Sequence, residues 1–326
     1  MHNSENHSRY SRQTLLKEIG KEGQVTLQNK KVAIVGVGAL GTVAAELLAR
    51  AGVGSLILID RDVVEHSNLQ RQTLFDEQDV GKNKVNAAEE RIKEINSEIK
   101  IETHALHLNP QNITVLKDAD LILDCTDNLQ TRFLINDYCR KENKPWIYAA
   151  AIKTSGYVMP ILKNGACLQC FLTESSLETC DTVGVFNTIT LSIASLQATL
   201  ALKLLLGKEK EIESILYHYD IWNQTFKKLN VKRNKSCPTC AGNFTHLEKK
   251  ETSKYIRFCS TGKYHVLGPK VNLQEIKARW EKIGKVVEDN SSLQFQNITL
   301  FNDGRALKDA DSVEEAEGIY SRLVGN

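Results

Sequence analysis

The chain has 326 residues, of which 41% are hydrophobic, enough for one sizeable core and a second small one. Its 42 basic and 40 acidic side chains leave a net charge of only +2, which argues against nucleic acid or an anionic membrane as a partner. The N-terminus is polar and opens with no apolar signal segment, so we expect a cytoplasmic protein.

The first half of the chain alternates between segments with the pattern of buried strands and segments with the pattern of helices. These segments are 31–35, 39–51, 55–60, 82–96, 99–104, 111–117, 121–124, 129–141 and 146–151. This alternation predicts an α/β fold with a Rossmann-like, doubly wound and mostly parallel sheet. Strand patterns at 156–162 and 212–219 predict antiparallel strands that extend this sheet.

The apolar stretch 189–206 is long enough to raise the question of a membrane span. It is interrupted by hydroxyl side chains, by Gln197 and by Lys203, and no second such stretch accompanies it. We therefore predict a buried or subunit-interface helix and no membrane association.

The composition also divides the chain into domains. Residues 1–244 are predicted to form the nucleotide-binding domain, and the polar segment 245–254 a linker. Residues 255–326 predict a small α+β domain, to which the sequence assigns no role. It has two short strands, a helix at 273–283, a hairpin turning at Asn302-Asp303-Gly304, and a final helix near 313–323.

A glycine-rich motif, Gly36-Val37-Gly38-Ala39-Leu40-Gly41, joins the first predicted strand to the first predicted helix. The first glycine permits the turn, the second lets backbone N–H groups approach phosphate, and the third lets helix and strand pack closely. Asp60 ends the next strand, where its carboxylate can bond a ribose hydroxyl. Taken alone, this pattern indicates an NAD(P)-dependent oxidoreductase.

Charged residues near this motif favour a different nucleotide. A dinucleotide's bridging diphosphate carries about two charges, whereas a triphosphate carries roughly twice as many and needs added cations and a metal. Arg71 and Lys84 lie where a loop and the following helix can cover the phosphates, and Asp127 follows a predicted strand, where a Mg²⁺ ligand is useful. Together they indicate ATP rather than NAD.

Four of the eight cysteines form two pairs, Cys167-Leu-Gln-Cys170 and Cys237-Pro-Thr-Cys240. Two such pairs in a cytosolic chain indicate a structural, tetrahedral zinc site. The competing interpretations are a redox pair, which needs only one CxxC, and a disulfide pair, which the cytosol disfavours.

The other cysteines have different settings. Cys125 and Cys139 lie within strand or helix patterns and are expected to be buried and inert. Cys180 lies in a polar segment without clear periodicity, 173–187, where it is either a nucleophilic or acceptor thiol or an ordinary surface cysteine.

At these residues the chain resembles the MoeB/ThiF family, adenylyltransferases of ubiquitin-like sulfur-carrier proteins that are related to ubiquitin-activating enzymes. The resemblance covers roughly three quarters of the chain, from about residue 9 to 242. The motifs that carry it are Arg9-Tyr10-Ser11-Arg12-Gln13, the glycine motif, Ser67-Asn68-Leu69-Gln70-Arg71-Gln72, Gly81-Lys82-Asn83-Lys84, Asp124-Cys125-Thr126-Asp127-Asn128, the two cysteine pairs and Cys180.

The resemblance implies a set of site residues. The nucleotide is held by Gly36, Gly38, Ala39, Gly41, Asp60, Ser67, Asn68, Leu69, Gln70, Arg71, Lys84, Asp127 and Asn128. Asp127 coordinates Mg²⁺, and Arg12, a better match than Arg9, completes the partner subunit's site in a homodimer. Cys180 matches a cysteine that in some members forms a covalent link to the carrier and in others is dispensable.

The resemblance also implies the reaction. The C-terminal carboxylate of a small Gly-Gly-tailed carrier of the ThiS or MoaD type attacks the α-phosphorus of ATP and releases diphosphate. Residues 255–326 do not resemble a rhodanese domain, so sulfur comes from a separate donor. The sequence leaves open whether the pathway makes thiamine, molybdopterin or another product, and whether a same-fold relative that adenylates a peptide or a modified tRNA base is the better description.

Overall fold

A computed structural model describes residues 9–173, 184–248, 255–257, 263–289 and 292–325. The described residues up to 248 form one compact unit, and those from 255 onward form a second. We call these the first and second units.

The first unit follows the predicted alternation closely. Its strands are β1 (Lys31–Val35), β2 (Ser55–Asp60), β3 (Lys100–Ala105), β4 (Leu121–Asp124), β5 (Trp146–Ile152), β6 (Ser155–Ile161), β7 (Ile215–Asp220) and β8 (Thr225–Asn230). Its helices are α1 (Ser11–Thr14), α2 (Gly20–Gln28), α3 (Gly41–Arg50), α4 (Lys84–Ile95), α5 (Leu129–Lys141), α6 (Asn187–Leu205) and α7 (Thr245–Glu248).

In this part of the chain the strands form one sheet in the order β3-β2-β1-β4-β5-β6-β7-β8. The strands from β3 to β5 run parallel, and β6, β7 and β8 are antiparallel. The predicted fold class, a doubly wound sheet with an antiparallel extension, is therefore confirmed. Alternate residues of β1 enter two separate hydrophobic clusters, because helices cover both faces of the sheet.

The register of the central strands determines where a ligand can bind. Val35, the last residue of β1, pairs with Ile59 of β2 on one side and with Asp124 of β4 on the other. The carboxyl ends of these three strands therefore meet at one edge of the sheet. The strand order also reverses at β1, and such a switch point is where open α/β sheets bind ligands.

Helix α6 is the apolar helix expected from residues 189–206. In the described part of the chain it is the one helix long and apolar enough to cross a membrane, and 44% of its apolar 18-residue stretch is buried. Its buried side chains join those of α3 and the central strands in one hydrophobic cluster. Gln197 is fully buried and donates to the carbonyls of Asp124 and Ile147, so the helix packs on the sheet.

Helices α1 and α2 of the first unit were not predicted, and three further segments of that unit differ from the sequence-based prediction. The helix expected at 111–117 is reduced to a 3₁₀ turn at Ile113–Leu116, since its β-branched residues have low helix propensity. Strand β8 was missed because all of its side chains are exposed, so hydrophobic alternation does not mark it. The predicted linker begins at residue 245, but Thr245–Glu248 is helical and its His246 stacks on Phe133 of α5, with the rings 5.1 Å apart.

The second unit is an antiparallel sheet with two helices. Its strands are β9 (Tyr255–Arg257), β10 (Lys263–Leu267), β11 (Val286–Asp289), β12 (Ser292–Phe295), β13 (Ile298–Phe301) and β14 (Arg305–Asp309), in the order β11-β12-β13-β14-β10-β9. Its helices are α8 (Leu273–Trp280) and α9 (Val313–Leu323). The hairpin at residues 302–304 lies where it was predicted, whereas the β11–β12 hairpin was not anticipated. Trp280 and Phe295 stack at 5.3 Å in its core.

Candidate functional site

The glycine motif forms a tight turn between β1 and α3. Gly36 has φ +90°, and a Cβ there would lie 2.7 Å from the Cys125 carbonyl oxygen. A Cβ on Gly41 would lie 1.9 Å from the Gly36 carbonyl oxygen, so close packing requires both glycines. Gly38 is different, because a Cβ there would meet only Gln72 Nε2, at 3.7 Å. The protein itself has room for a side chain at Gly38, so a glycine there suits the approach of a ligand.

Asp60 lies beside this turn at the end of β2. One carboxylate oxygen accepts a hydrogen bond from the Val37 N–H at 2.6 Å, and the other accepts from the Asp62 N–H at 2.8 Å. These bonds aim the carboxylate at the glycine turn, and each oxygen keeps a lone pair for a ribose hydroxyl.

Lys84, the first residue of α4, is brought to the same place by backbone pairing. The Lys84 N–H donates to the Asp62 carbonyl, and the Val64 N–H donates to the Lys82 carbonyl. Lys84 is only 7% exposed, and its Nζ lies 3.7 Å from an Asp62 carboxylate oxygen. Burial alone would lower the Lys84 pKa, but nearby carboxylates, chiefly Asp60, outweigh it and raise that pKa. Lys84 is therefore a buried cation at neutral pH.

The segment from Ser67 to Arg71 forms the adjacent wall. Asn68 is buried, and its Oδ1 accepts from the Glu65 N–H at 3.1 Å, which fixes the turn. Ser67 and Gln70 are exposed and Leu69 is half-buried. Arg71 donates to the Ser67 carbonyl at 2.8 Å, so its guanidinium is held against this turn with donors to spare.

Asp127 and Asn128 follow β4 at the same sheet edge. The Asn128 side chain accepts from the Thr131 N–H at 2.9 Å and caps α5. Asp127 is exposed, and it acts electrostatically on both Lys84 and Asp124. Within the described ranges no side chain is hydrogen-bonded to Asp127. An exposed carboxylate with free lone pairs, next to a buried lysine, fits the oxygen-ligand chemistry of Mg²⁺.

A buried ion pair supports this loop, and the sequence reasoning missed it. Asp124 is fully buried, with one carboxylate oxygen 3.3 Å from Arg132 Nε. The other oxygen accepts from both the N–H and the hydroxyl of Thr126, and Arg132 also donates to the Thr126 carbonyl. The available signal was an acidic residue ending a buried strand together with an arginine inside an otherwise apolar helix turn.

Arg12 lies on α1, apart from these groups in the chain. The side chains around it are tied down: the Tyr10 hydroxyl accepts from Asn96 Nδ2 at 2.8 Å, and Gln13 donates to the Ala51 carbonyl at 2.9 Å. Arg12 itself is exposed. The structure therefore anchors the segment and presents the Arg12 side chain to solvent.

The two CxxC pairs, distant in sequence, meet in one cluster. All four sulfur atoms lie within 4.8 Å of one another. Four of the pairwise S···S distances are 3.8, 3.4, 3.6 and 3.5 Å. A tetrahedral Zn²⁺ with Zn–S bonds of ~2.3 Å has S···S edges of about 3.8 Å, so the cluster fits zinc and is too open for disulfides.

The surroundings of the cluster favour the thiolate form at one position. Burial would raise the Cys240 pKa, but hydrogen bonds from neighbouring thiols and the charge of Arg140 lower it to about 7. The cluster is also tied to α5, since Asp137 accepts hydrogen bonds from Thr239 and from the backbone of His246.

The remaining cysteines divide as expected where they are described. Burial raises the pKa of both the Cys125 and the Cys139 thiols, so both stay protonated. The Cys125 thiol donates to Gln197 at 3.3 Å. Cys180 lies outside the described residues.

A doubly wound sheet with a glycine turn, a buried lysine and an exposed aspartate at its switch point is the arrangement expected of a nucleotide-binding enzyme. The ThiF family profile matches residues 10–239, and the chain belongs to this family. This is the family that the sequence motifs resemble, and membership favours an adenylyltransferase over an NAD(P)-dependent oxidoreductase.

Two curated relatives are each 35% identical to the chain. One is a sulfur carrier protein ThiS adenylyltransferase of Bacillus subtilis, aligned over 97% of this chain and 99% of that protein. The other is the SAMP-activating enzyme E1 of Haloferax volcanii, aligned over 71% of this chain and 88% of that protein. The first alignment extends through the second unit.

Among solved structures, E. coli MccB with ATP is similar, with a TM-score of 0.63 and 28% identity. That similarity covers 73% of this chain and 76% of MccB.

Proposed function

We propose that this protein adenylates the C-terminal glycine carboxylate of a small ubiquitin-like sulfur-carrier protein, using ATP and Mg²⁺. The observation that carries the proposal is the joint position of the glycine turn, Lys84 and Asp127 at one sheet edge in a ThiF-family chain. The match with the ThiS adenylyltransferase over almost its whole length makes a ThiS-type carrier our first candidate and a MoaD-type carrier our second.

Each residue has a part in the proposed reaction. A carboxylate oxygen of the carrier forms a bond to the α-phosphorus, while the bond from that phosphorus to the departing diphosphate breaks. The carboxylate is already ionised at neutral pH, so no general base is needed. Arg71 and Lys84 offset the charge of the phosphates, and Asp60 positions the ribose. Mg²⁺, held by Asp127, would neutralise charge on the phosphate oxygens.

The test is exchange of radiolabelled diphosphate into ATP by the full chain. With Mg²⁺ and a ThiS-type carrier ending in Gly-Gly, we expect label to enter ATP. The matched control is the same carrier without its last glycine, which should support no exchange. Equal exchange with both carriers, or none with either ThiS-type or MoaD-type carriers, would contradict the proposal. A short Gly-ended peptide in the same assay tests the peptide alternative that the likeness to MccB raises.

We further propose a homodimer in which Arg12 completes the partner's nucleotide site. The anchored segment, the exposed Arg12 and the exposed apolar side chains of Leu15, Leu16 and Val25 support this. An equal mixture of inactive Arg12→Ala and Asp127→Asn chains should recover about one quarter of wild-type activity after subunit exchange, since heterodimers then hold one intact site. No recovery, in a mixture shown to exchange subunits, would place Arg12 in its own subunit's site.

The remaining assignments concern the cysteines, the sulfur donor, the location and the domains. We propose that the four cysteines bind Zn²⁺ with no open position, so that the metal is structural. Cys180 is kept as an acceptor thiol for the carrier, and the sulfur donor as a separate protein. We also propose a cytoplasmic location, since none of the six cysteines in the described part of the chain forms a disulfide. The first unit, through Glu248, then forms the adenylation domain, and residues 255–326 form the appended domain.

A further inference from the structure

Arg140, in the last turn of α5, contacts both the turn that follows β6 and the four-cysteine cluster. Its Nη1 donates to the carbonyls of Leu162 and Lys163. Its Nη2 donates to the carbonyl of Gly165 at 2.7 Å and to the sulfur of Cys240 at 3.5 Å. One guanidinium therefore joins the chain just before the first cysteine pair to a sulfur of the second pair.

The sulfur contact has an electrostatic consequence. Four thiolates around one Zn²⁺ carry a net charge of about −2, which is costly in a partly buried setting. An N–H donor on a metal-bound sulfur disperses part of that charge, and a donor that is itself cationic does so most strongly. The Asn234 N–H supplies a neutral donor of this kind to Cys170, at 3.4 Å. Arg140 supplies the charged one.

We propose that Arg140 is an outer-shell positioning residue of the metal centre, which slows loss of the metal by neutralising charge on Cys240 and holding its sulfur in place. The proposal rests on the zinc site assigned above. Outer-shell partners of metal ligands commonly change metal affinity by about 10–100-fold, and Arg140 meets that description through a direct N–H···S contact.

The chain offers a matched control in Arg233. Its Nη2 donates to the backbone carbonyl of Cys240 at 2.9 Å, and its side chain is exposed. Arg233 thus places a guanidinium near the same cysteine without touching the sulfur. If a positive charge near Cys240 were sufficient, replacing either arginine would speed metal loss equally. If the N–H···S bond is required, only replacing Arg140 will speed metal loss.

The experiment measures zinc release from the full-length protein to an excess of the chromogenic chelator 4-(2-pyridylazo)resorcinol. Arg140→Gln should release zinc about 10–100-fold faster than wild type, Arg140→Lys at an intermediate rate, and Arg233→Gln within about 3-fold of wild type. Release from Arg140→Gln at the wild-type rate, or an equal effect of Arg233→Gln, would overturn the proposal.

Two further measurements distinguish the effect of Arg140 on the metal-bound sulfur from its hydrogen bonds to the turn after β6. With Co²⁺ in place of zinc, loss of the N–H···S bond raises the energy of the sulfur lone pairs, so the sulfur-to-cobalt charge-transfer band of Arg140→Gln should move to longer wavelength. An unmoved band counts against the proposal. The unfolding midpoint of Arg140→Gln should fall more in the zinc-loaded than in the metal-free protein, and equal falls would assign Arg140 to the turn alone. Wild-type protein that contains no zinc would instead refute the zinc site itself.

Discussion

Helix α5 has a different kind of site at each end. At its N-terminal end, Asp127 is exposed beside the buried cation Lys84, and its carboxylate has lone pairs to spare. Near its C-terminal end, Asp137 and Arg140 are already hydrogen-bonded to groups of the polypeptide around the cysteine cluster. Side chains with free lone pairs can bind a ligand, as proposed for the first end. Side chains whose hydrogen bonds are all made to the protein support the fold, as at the second end.

The comparison makes its largest prediction at Asp127. Asp127→Asn keeps the shape but removes the charge, so adenylation should slow by about 10³-fold, equivalent to ~4 kcal/mol. The free energy of unfolding should stay within about 0.5 kcal/mol, because the side chain is exposed. Diphosphate exchange and urea denaturation measure the two quantities. The matched control is Asp118→Asn, also exposed but away from this sheet edge, and activity equal in both variants would remove Asp127 from the site.

At the other end of α5 we expect the reverse pattern. Cys237→Ser should lose the metal and roughly 3 kcal/mol of stability, because the remaining buried thiols are left without the metal ion that they share. Wild-type protein stripped by a chelator should fall to the same level. The neighbouring substitution Ser236→Ala serves as the control and should retain metal. A metal-free wild type of undiminished stability would contradict a structural zinc.

Within the glycine turn, a residue needed for stability can be compared with one proposed to be needed for nucleotide binding. Gly41→Ala should destabilise the protein by about 2 kcal/mol or more, because its Cβ collides with the Gly36 carbonyl. Gly38→Ala has open space and should cost under about 1 kcal/mol, while blocking the approach of phosphate. Unfolding with and without ATP distinguishes them, since only Gly38→Ala should fold normally yet gain little from ATP. Full stabilisation of Gly38→Ala by ATP would show that the phosphates lie elsewhere.

The smallest effect concerns Tyr138, in the C-terminal half of α5. Burial, followed by the nearby charge of Glu142, raises the pKa of Tyr138 to about 12 from the usual value of about 10. The unfolded chain therefore loses this proton first as the pH rises. The contribution of Tyr138 to stability is complete below about pH 10 and is lost as the pH rises toward 12. Tyr138→Phe should make the stability curve shallower in that window, and parallel curves would show that the hydroxyl is not desolvated.

Much of the fold could be predicted because its signals are local. The runs of β1, β2 and β4 are short and apolar, and the helices between them have regular apolar spacing. The elements that escaped lack such signals. Strand β8 is fully exposed, and the sequence between β11 and β12 contains neither glycine nor proline.

The candidate site divides in the same way. The glycine motif, the acidic ends of β2 and β4, and the spacing within each CxxC pair are visible in short stretches of sequence. The buried pair of Asp124 and Arg132 was not found, because a pattern of residue types does not say which way a helix turns its arginine.

The sequence by itself determined the alternation of strands and helices, the glycine turn and the identity of the four cysteines that form the cluster. These features depend on neighbours a few residues apart, where backbone geometry fixes the relation between side chains. Only the tertiary structure decided that Lys84 lies among four carboxylates, that cysteine pairs about 70 residues apart converge, and that Arg140 reaches a sulfur. Those contacts depend on strand order and register, which the packing of the whole sheet sets and which no local pattern encodes.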